Sequence, residues 1–192
     1  MTEEEIIRFL EYRGVPKRYL SARRSQIADS TWHDVQPFLA GESLYLWGPT
    51  GSGKTHLAVA LMREDWIAKP SQRPTFVKVP PMLLEIREVF SVSSERSSTD
   101  SRSERSIIDR YATADLLILD DVGTEKISDW AIQTLAVIVD KRYSEMRRTL
   151  VTSNLSLEEL SDRIGDRTAA RLAGMSVLAQ LSGTDRRLKR AQ

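Results

Sequence analysis

One stretch constrains this chain more than any other: Gly48-Pro49-Thr50-Gly51-Ser52-Gly53-Lys54-Thr55. It follows an apolar run, Leu44-Tyr45-Leu46-Trp47, and precedes an apolar-periodic run from His56 to Trp66. Strand, glycine-rich loop, helix is the context in which this spacing makes a phosphate-binding loop. The glycines permit backbone conformations closed to residues with a Cβ. Successive N–H groups can then converge on a phosphate, aided by the positive end of the following helix. Lys54 is spaced to reach the β- and γ-phosphates, and the Thr55 hydroxyl to ligate Mg²⁺. The competing reading is a glycine-rich turn without a ligand. Because every fixed position is filled in the right context, the expected ligands are a nucleoside triphosphate and Mg²⁺.

The 192 residues suffice for one well-cored α/β domain and little more. There are no cysteines, which excludes disulfides and thiolate metal sites, and the two histidines, His33 and His56, are too few for a His-rich site. No apolar stretch approaches a membrane span, and the acidic start Met1-Thr2-Glu3-Glu4-Glu5 is not a signal peptide. The expected location is the cytoplasm, with no membrane partner. A net charge of +1 means that any nucleic-acid contact must come from local patches.

Two parts are expected: a helical, basic linker segment over residues 1–42 and an ATPase core over 43–192. Thr2 to Glu5 reads as a capping box opening a helix to about Arg13, ended by Gly14 and Pro16. A basic stretch follows with Lys17, Arg18, Arg23 and Arg24, and residues 26–42 read as one helix on the core. Strands are expected over 43–47, 75–79, 115–121, 149–154 and 175–181. Pro81 suits the first turn of a helix running to about Phe90. Residues 91–106 contain eight serines with alternating charges and read as a mobile insertion that buries almost nothing. Ser128 caps a long helix, and short helices are expected near 157–164 and 166–173. Strands alternating with helices predict a three-layer α/β domain with a five-stranded parallel sheet.

Asp115-Leu116-Leu117-Ile118-Leu119-Asp120-Asp121 is the second strong signal. A continuous apolar run reads as a strand buried on both faces, with its acids at the carboxyl end where such sheets bind ligands. Asp120 is placed to hold Mg²⁺, and Asp121 to orient the attacking water; the alternative is that both cap a turn. Asn154 can hydrogen-bond the water or the γ-phosphate, or equally make an Asx turn before the next helix. Arg167 and Arg171 are four apart on one helix. One can serve as an arginine finger toward a neighbouring subunit, or both can pair with Asp162 or Asp166.

With these residues in view, the sequence resembles the AAA+ domain of DnaC-type helicase loaders and the similar IstB transposition helpers. The resemblance is carried by Gly14 to Tyr19, Gly48 to Thr55, Leu116 to Gly123, Ser128-Asp129-Trp130, Arg142-Tyr143, Thr152 to Leu155 and Arg163 to Leu172. It implies a P-loop NTPase fold without a C-terminal helical lid. It implies that Gly14, Val15 and Pro16 lie against the adenine, that Asn154 is sensor 1, and that Arg171 is the trans-acting finger with Arg167 supporting it. It also implies a DNA-contacting insertion within about Pro80 to Arg110. Expected partners are single-stranded DNA, a replicative helicase, and further copies of the chain joined through ATP interfaces. Such loaders usually carry an N-terminal helicase-binding domain, whereas about forty residues precede the first strand here. Many AAA+ proteins have Asp-Glu where this chain has Asp120-Asp121, which implies slow, switch-like hydrolysis.

Four functions follow in order. The first is a DNA-replication ATPase of helicase-loader type. The second is a transposition helper that engages duplex DNA and a transposase. A non-hydrolysing nucleotide-switched adaptor is third, and a small-molecule kinase last, since Asn154 and the Arg167/Arg171 pair are not needed for one.

Overall fold

The computed structural model describes residues 1–93, 104–123 and 128–182. Its centre is a sheet of five parallel strands in the order β2-β3-β4-β1-β5. The strands are β1 (Ser43–Trp47), β2 (Pro74–Lys78), β3 (Leu116–Val122), β4 (Arg148–Ser153) and β5 (Ser176–Gln180). Around them, in chain order, run α1 (Glu3–Tyr12), α2 (Asp29–Asp34), α3 (Gln36–Ala40), α4 (Lys54–Ala68), α5 (Val79–Ser93), α6 (Glu104–Thr113), α7 (Asp129–Ser144), α8 (Leu157–Ile164) and α9 (Asp166–Met175).

The two-residue period of the strands sorts the core into two layers. Leu44, Leu46, Phe76, Leu116, Ile118 and Leu150 face one cluster, filled by Leu57, Ala58 and Leu61 of α4. Tyr45, Leu117, Leu119 and Val151 face the other, filled by Leu135 and Ile138 of α7 and by Leu160 and Leu172. Helices thus cover both faces, which is why the central residues of β1 and β3 form continuous apolar runs.

The N-terminal residues join the first of these clusters. Ile6, Leu10, Val15, Trp32, Val35 and Phe38 are buried with α4. Phe9 stacks on Trp66 with centroids 3.5 Å apart, and Glu3 pairs with the buried Arg63 and with Arg23. The single helix expected over 26–42 is instead two short ones. The chain breaks at Val35 (φ −105°, ψ 2°), one residue before α3 opens with a proline in its first turn.

The stretch 91–106, expected to be a mobile insertion, is helical where it is described. Residues 91–93 end α5 and residues 104–106 begin α6, while 94–103 lie outside the described residues. Helix α6 packs on α7 through a buried arginine. Arg142 Nε donates to Thr149 Oγ1 (2.9 Å), and its Nη1 donates to the carbonyls of Tyr111, Ala112 and Ala114 (2.9, 3.1 and 2.9 Å). Those carbonyls are the orphan acceptors at the end of α6, so one side chain closes the helix and ties it to the sheet. Burial pushes the guanidinium down to about 9. Among the described residues no helix is long and apolar enough to cross a membrane.

Candidate functional site

The glycine-rich loop leaves β1 at Gly48 and enters α4 at Lys54. Gly48 has φ 147°, and a Cβ there would lie 2.2 Å from the Leu181 carbonyl oxygen. The close approach arises because Leu181 N–H donates to the Trp47 carbonyl (2.7 Å), so the end of β5 crosses directly over the loop's first residue. Gly48 is therefore required by packing as well as by loop shape. Gly53, in the left-handed region at φ 100°, turns the chain into the helix. Pro49 and Thr50 are exposed, and Ser52 is buried with its hydroxyl oxygen lacking a hydrogen-bond partner.

Lys54 and Thr55 carry the loop to the sheet's carboxyl end. Lys54 Nζ donates to the carbonyls of Gly48 (2.8 Å) and Pro49 (3.0 Å) and to Asn154 Oδ1 (2.8 Å). The Thr55 hydroxyl donates to Asp120 Oδ1 (2.9 Å), and the Thr152 hydroxyl donates to the same oxygen (2.7 Å). Asp120 near the end of β3 and Asn154 just after β4 thus meet the loop, and Asp121 follows Asp120 at the edge of the site. Asp120 lies within β3 and is fully buried, so it does not cap a turn.

Asn154 does not spend its carbonyl on a local turn; the Ser153 hydroxyl accepts the Leu155 N–H instead (3.1 Å). Tyr45 steadies this corner by donating its hydroxyl to the Leu155 carbonyl (2.8 Å). Burial pushes that phenol up to about 12.

The two acids differ in environment. Burial pushes the Asp120 carboxyl above its usual range, and the neighbouring Asp121 charge adds to this. The Thr152 and Thr55 hydroxyls and Lys78 oppose the shift. Asp120 Oδ2 is buried without a hydrogen-bond partner. Asp121 is half-buried and has φ 63°, at a register break between β3 and β4. Its N–H donates to Thr152 Oγ1 (3.0 Å), so the same threonine holds both acids. A bulge of this kind re-aims a side chain relative to the regular pleat.

These features fit a divalent cation. A hydroxyl, a carboxylate with one unpartnered buried oxygen and a second acid nearby form a hard-oxygen donor set, the kind that Mg²⁺ takes. Among the described residues no three His, Cys, Asp or Glu converge.

Two residues of this cluster were not singled out in the sequence. Lys78 closes β2 in register with Asp120, and its Nζ lies 3.3 Å from Asp121 Oδ2 and 3.9 Å from Asp120 Oδ2. Thr152 bridges the acids from β4. Strand register reveals both, although Lys78 after the apolar pair Phe76-Val77 at the end of β2 is a usable hint.

Val15 is buried against α4, and Pro16 is half-buried where the chain leaves it. Gly14 packs on β2: a Cβ there would lie 2.5 Å from the Phe76 carbonyl oxygen. Arg167 and Arg171 pair with neither Asp162 nor Asp166. Both face Asp140 on α7, Arg167 at 3.7 Å, and Asp166 instead accepts from the Ser161 hydroxyl (2.6 Å). The basic tail residues Arg186, Arg187, Lys189 and Arg190 lie outside the described residues.

Comparison with known proteins fits this geometry. The family described as IstB-like ATP binding protein matches residues 26–189. The replicative helicase loader DnaC of Escherichia coli (strain K12) is 26% identical over 125 residues, 65% of this chain and 47% of its own. The replicative helicase loader DnaI of Bacillus subtilis (strain 168) is 27% identical over 121 residues, 62% of this chain and 35% of its own. The chain thus spans less than half the length of the curated relatives it matches. A crystal structure of the DnaC helicase loader superposes with a TM-score of 0.73 at 24% identity, covering 87% of this chain and all of that one. With a P-loop, an acid-tipped β3 and this family match over most of its length, the chain belongs to the IstB-like ATP-binding family.

Proposed function

We propose that this domain binds and slowly hydrolyses ATP with Mg²⁺, assembles on single-stranded DNA through nucleotide-bridged subunits, and acts on a replicative helicase in the cytoplasm. The observation that carries the reading is the convergence of Lys54, Thr55, Asp120, Asp121 and Asn154 on one corner of the sheet. Gly48 to Thr55 cradle the phosphates, and Val15 and Pro16 border the adenine. Thr55 and Asp120 hold the metal, which neutralises charge on the transferring phosphoryl group.

Asp121, aimed by the bulge, accepts a hydrogen bond from the attacking water and orients it. Asn154 passes from Lys54 to the water or the γ-phosphate, which leaves the Lys54 ammonium to the phosphate oxygens. Arg171 completes a neighbour's site by meeting charge that develops only in the transition state, and Arg167 supports it. Turnover per subunit is expected to rise with protein concentration and to respond to single-stranded DNA. Turnover of first order in protein and indifferent to DNA overturns the reading.

The family match favours one second reading, a transposition helper that engages duplex DNA and a transposase. Binding to single-stranded and duplex DNA at matched salt separates the two, because salt dominates such affinities. Preference for the duplex supports the helper.

A further inference from the structure

Asp140 of α7 stands between two arginines of α9. One carboxylate oxygen meets the Arg171 guanidinium, and the other lies 3.7 Å from Arg167 Nη2. Tyr143, three residues further along α7, places its ring under the same Arg171 guanidinium, 5.8 Å from the ring centroid. The two arginines are consequently unequal: the Arg167 side chain is 79% exposed and that of Arg171 only 19%. Arg171 stands in ion-pair contact with the Asp140 carboxylate and over the Tyr143 ring. A guanidinium so placed already has an anionic partner in its own subunit. Any external phosphate must compete with that partner.

We propose that Asp140 is an internal counter-ion for Arg171, holding it on its own subunit until the nucleotide phosphate of a neighbouring copy displaces the carboxylate. This rests on the reading of Arg171 as a residue that completes a neighbour's site. A triphosphate carries more negative charge than a carboxylate and offers several acceptor oxygens to the guanidinium fork. The exchange is therefore favourable once a neighbour docks, and unfavourable toward weaker stray anions. One carboxylate between two guanidinium groups leaves the cluster cationic, so the exposed Arg167 still draws an approaching phosphate. Asp140 thereby sets the concentration at which assembly switches on turnover. It is a positioning residue, since it acts only through Arg171.

The test uses the full chain with ATP and Mg²⁺, comparing Asp140→Asn, Asp140→Ser and the charge-retaining Asp140→Glu. Asp140→Asn and Asp140→Ser are expected to reach half-maximal turnover at a protein concentration roughly two- to fivefold lower than the parent chain. Asp140→Glu is expected to stay close to the parent, and nucleotide affinity at low protein concentration to stay unchanged in all three. A merely structural role would instead lower thermal stability and turnover together. An unchanged or higher midpoint in the two uncharged variants, with folding intact by circular dichroism, overturns the inference. If Arg171→Ala abolishes turnover while the Asp140 variants behave like the parent, only this inference fails. If Arg171→Ala itself leaves turnover intact, the trans-acting reading fails and this inference with it.

Discussion

Thr55 and Asp120 are 65 residues apart in sequence, yet the threonine hydroxyl donates to the aspartate at 2.9 Å. That bond joins the start of α4 to the end of β3, and it brings the two expected metal ligands together. It also leaves the second Asp120 oxygen buried without a hydrogen-bond partner, with the Lys78 ammonium 3.9 Å away. The site is thus organised at a cost to the folded state that a cation can relieve.

Asp120→Asn follows from this. Burial raises the carboxyl's pKa, so the charged form is disfavoured in the folded chain, and at neutral pH its removal relieves the fold. The nucleotide-free variant is expected to be more stable than the parent chain. The same variant should lose the Mg²⁺-dependent part of the stabilisation by ATP. Thermal melts with and without ATP and Mg²⁺ check both halves. A destabilised nucleotide-free variant contradicts the account of Asp120.

Gly48→Ala is expected to be severe for a reason unrelated to phosphate. The new Cβ would press on the Leu181 carbonyl oxygen at 2.2 Å, in a backbone conformation at φ 147° that alanine resists. Backbone cannot yield as a flexible side chain can, so a loss of about 3 kcal/mol is expected. Urea unfolding without nucleotide measures it; a loss confined to nucleotide binding contradicts the packing role.

Acid should loosen the N-terminal helix. Hydrogen bonding to Arg63 holds the Glu3 carboxyl below its usual range, helped by the charges of Arg63 and Arg23. A depressed folded-state pKa contributes stability above the unfolded value, and that contribution is lost as pH falls through the folded value. Docking of α1 is therefore expected to weaken in the acidic range below about 4.5, the ordinary value for the group. Glu3→Gln should reduce the pH dependence while weakening docking at neutral pH, the Glu5 carboxyl of the capping box keeping its own share. The indole signal of Trp66, stacked on Phe9, reports both effects in an NMR titration.

How far the sequence carries depends on whether a feature is local. The P-loop was legible because its glycines, lysine and threonine act at fixed spacing in one segment. The sheet was legible because apolar runs at β1, β3 and β4 alternate with helical periodicity. Features that depend on which strands or helices become neighbours were not. Lys78 reaches Asp121 only because β2 lies beside β3 in a particular register. Thr152 bridges both acids because β3 slips between Leu119 and Val122, and nothing in Asp120-Asp121 signals that slip. Asp140 reads as one more charge on an amphipathic helix until α7 and α9 pack, when it displaces Asp162 and Asp166 as the arginines' partner. Residues 26–42 misled because a helical pattern continues through Val35 although the backbone breaks there.

The central claim is that two copies share one site, with Lys54 from one and Arg171 from the other. Mixing Lys54→Ala chains with Arg171→Ala chains tests it most directly. Each variant alone is expected to be nearly inactive, the finger alone being worth about 10³-fold or more. Mixed, they can pair an intact phosphate loop with an intact arginine, so turnover is expected to reappear and to rise with the proportion of mixed interfaces. If the mixture is as inactive as its parts while the subunits still associate, or if Arg171→Ala alone turns over ATP normally, the site is completed within one subunit and the account is wrong.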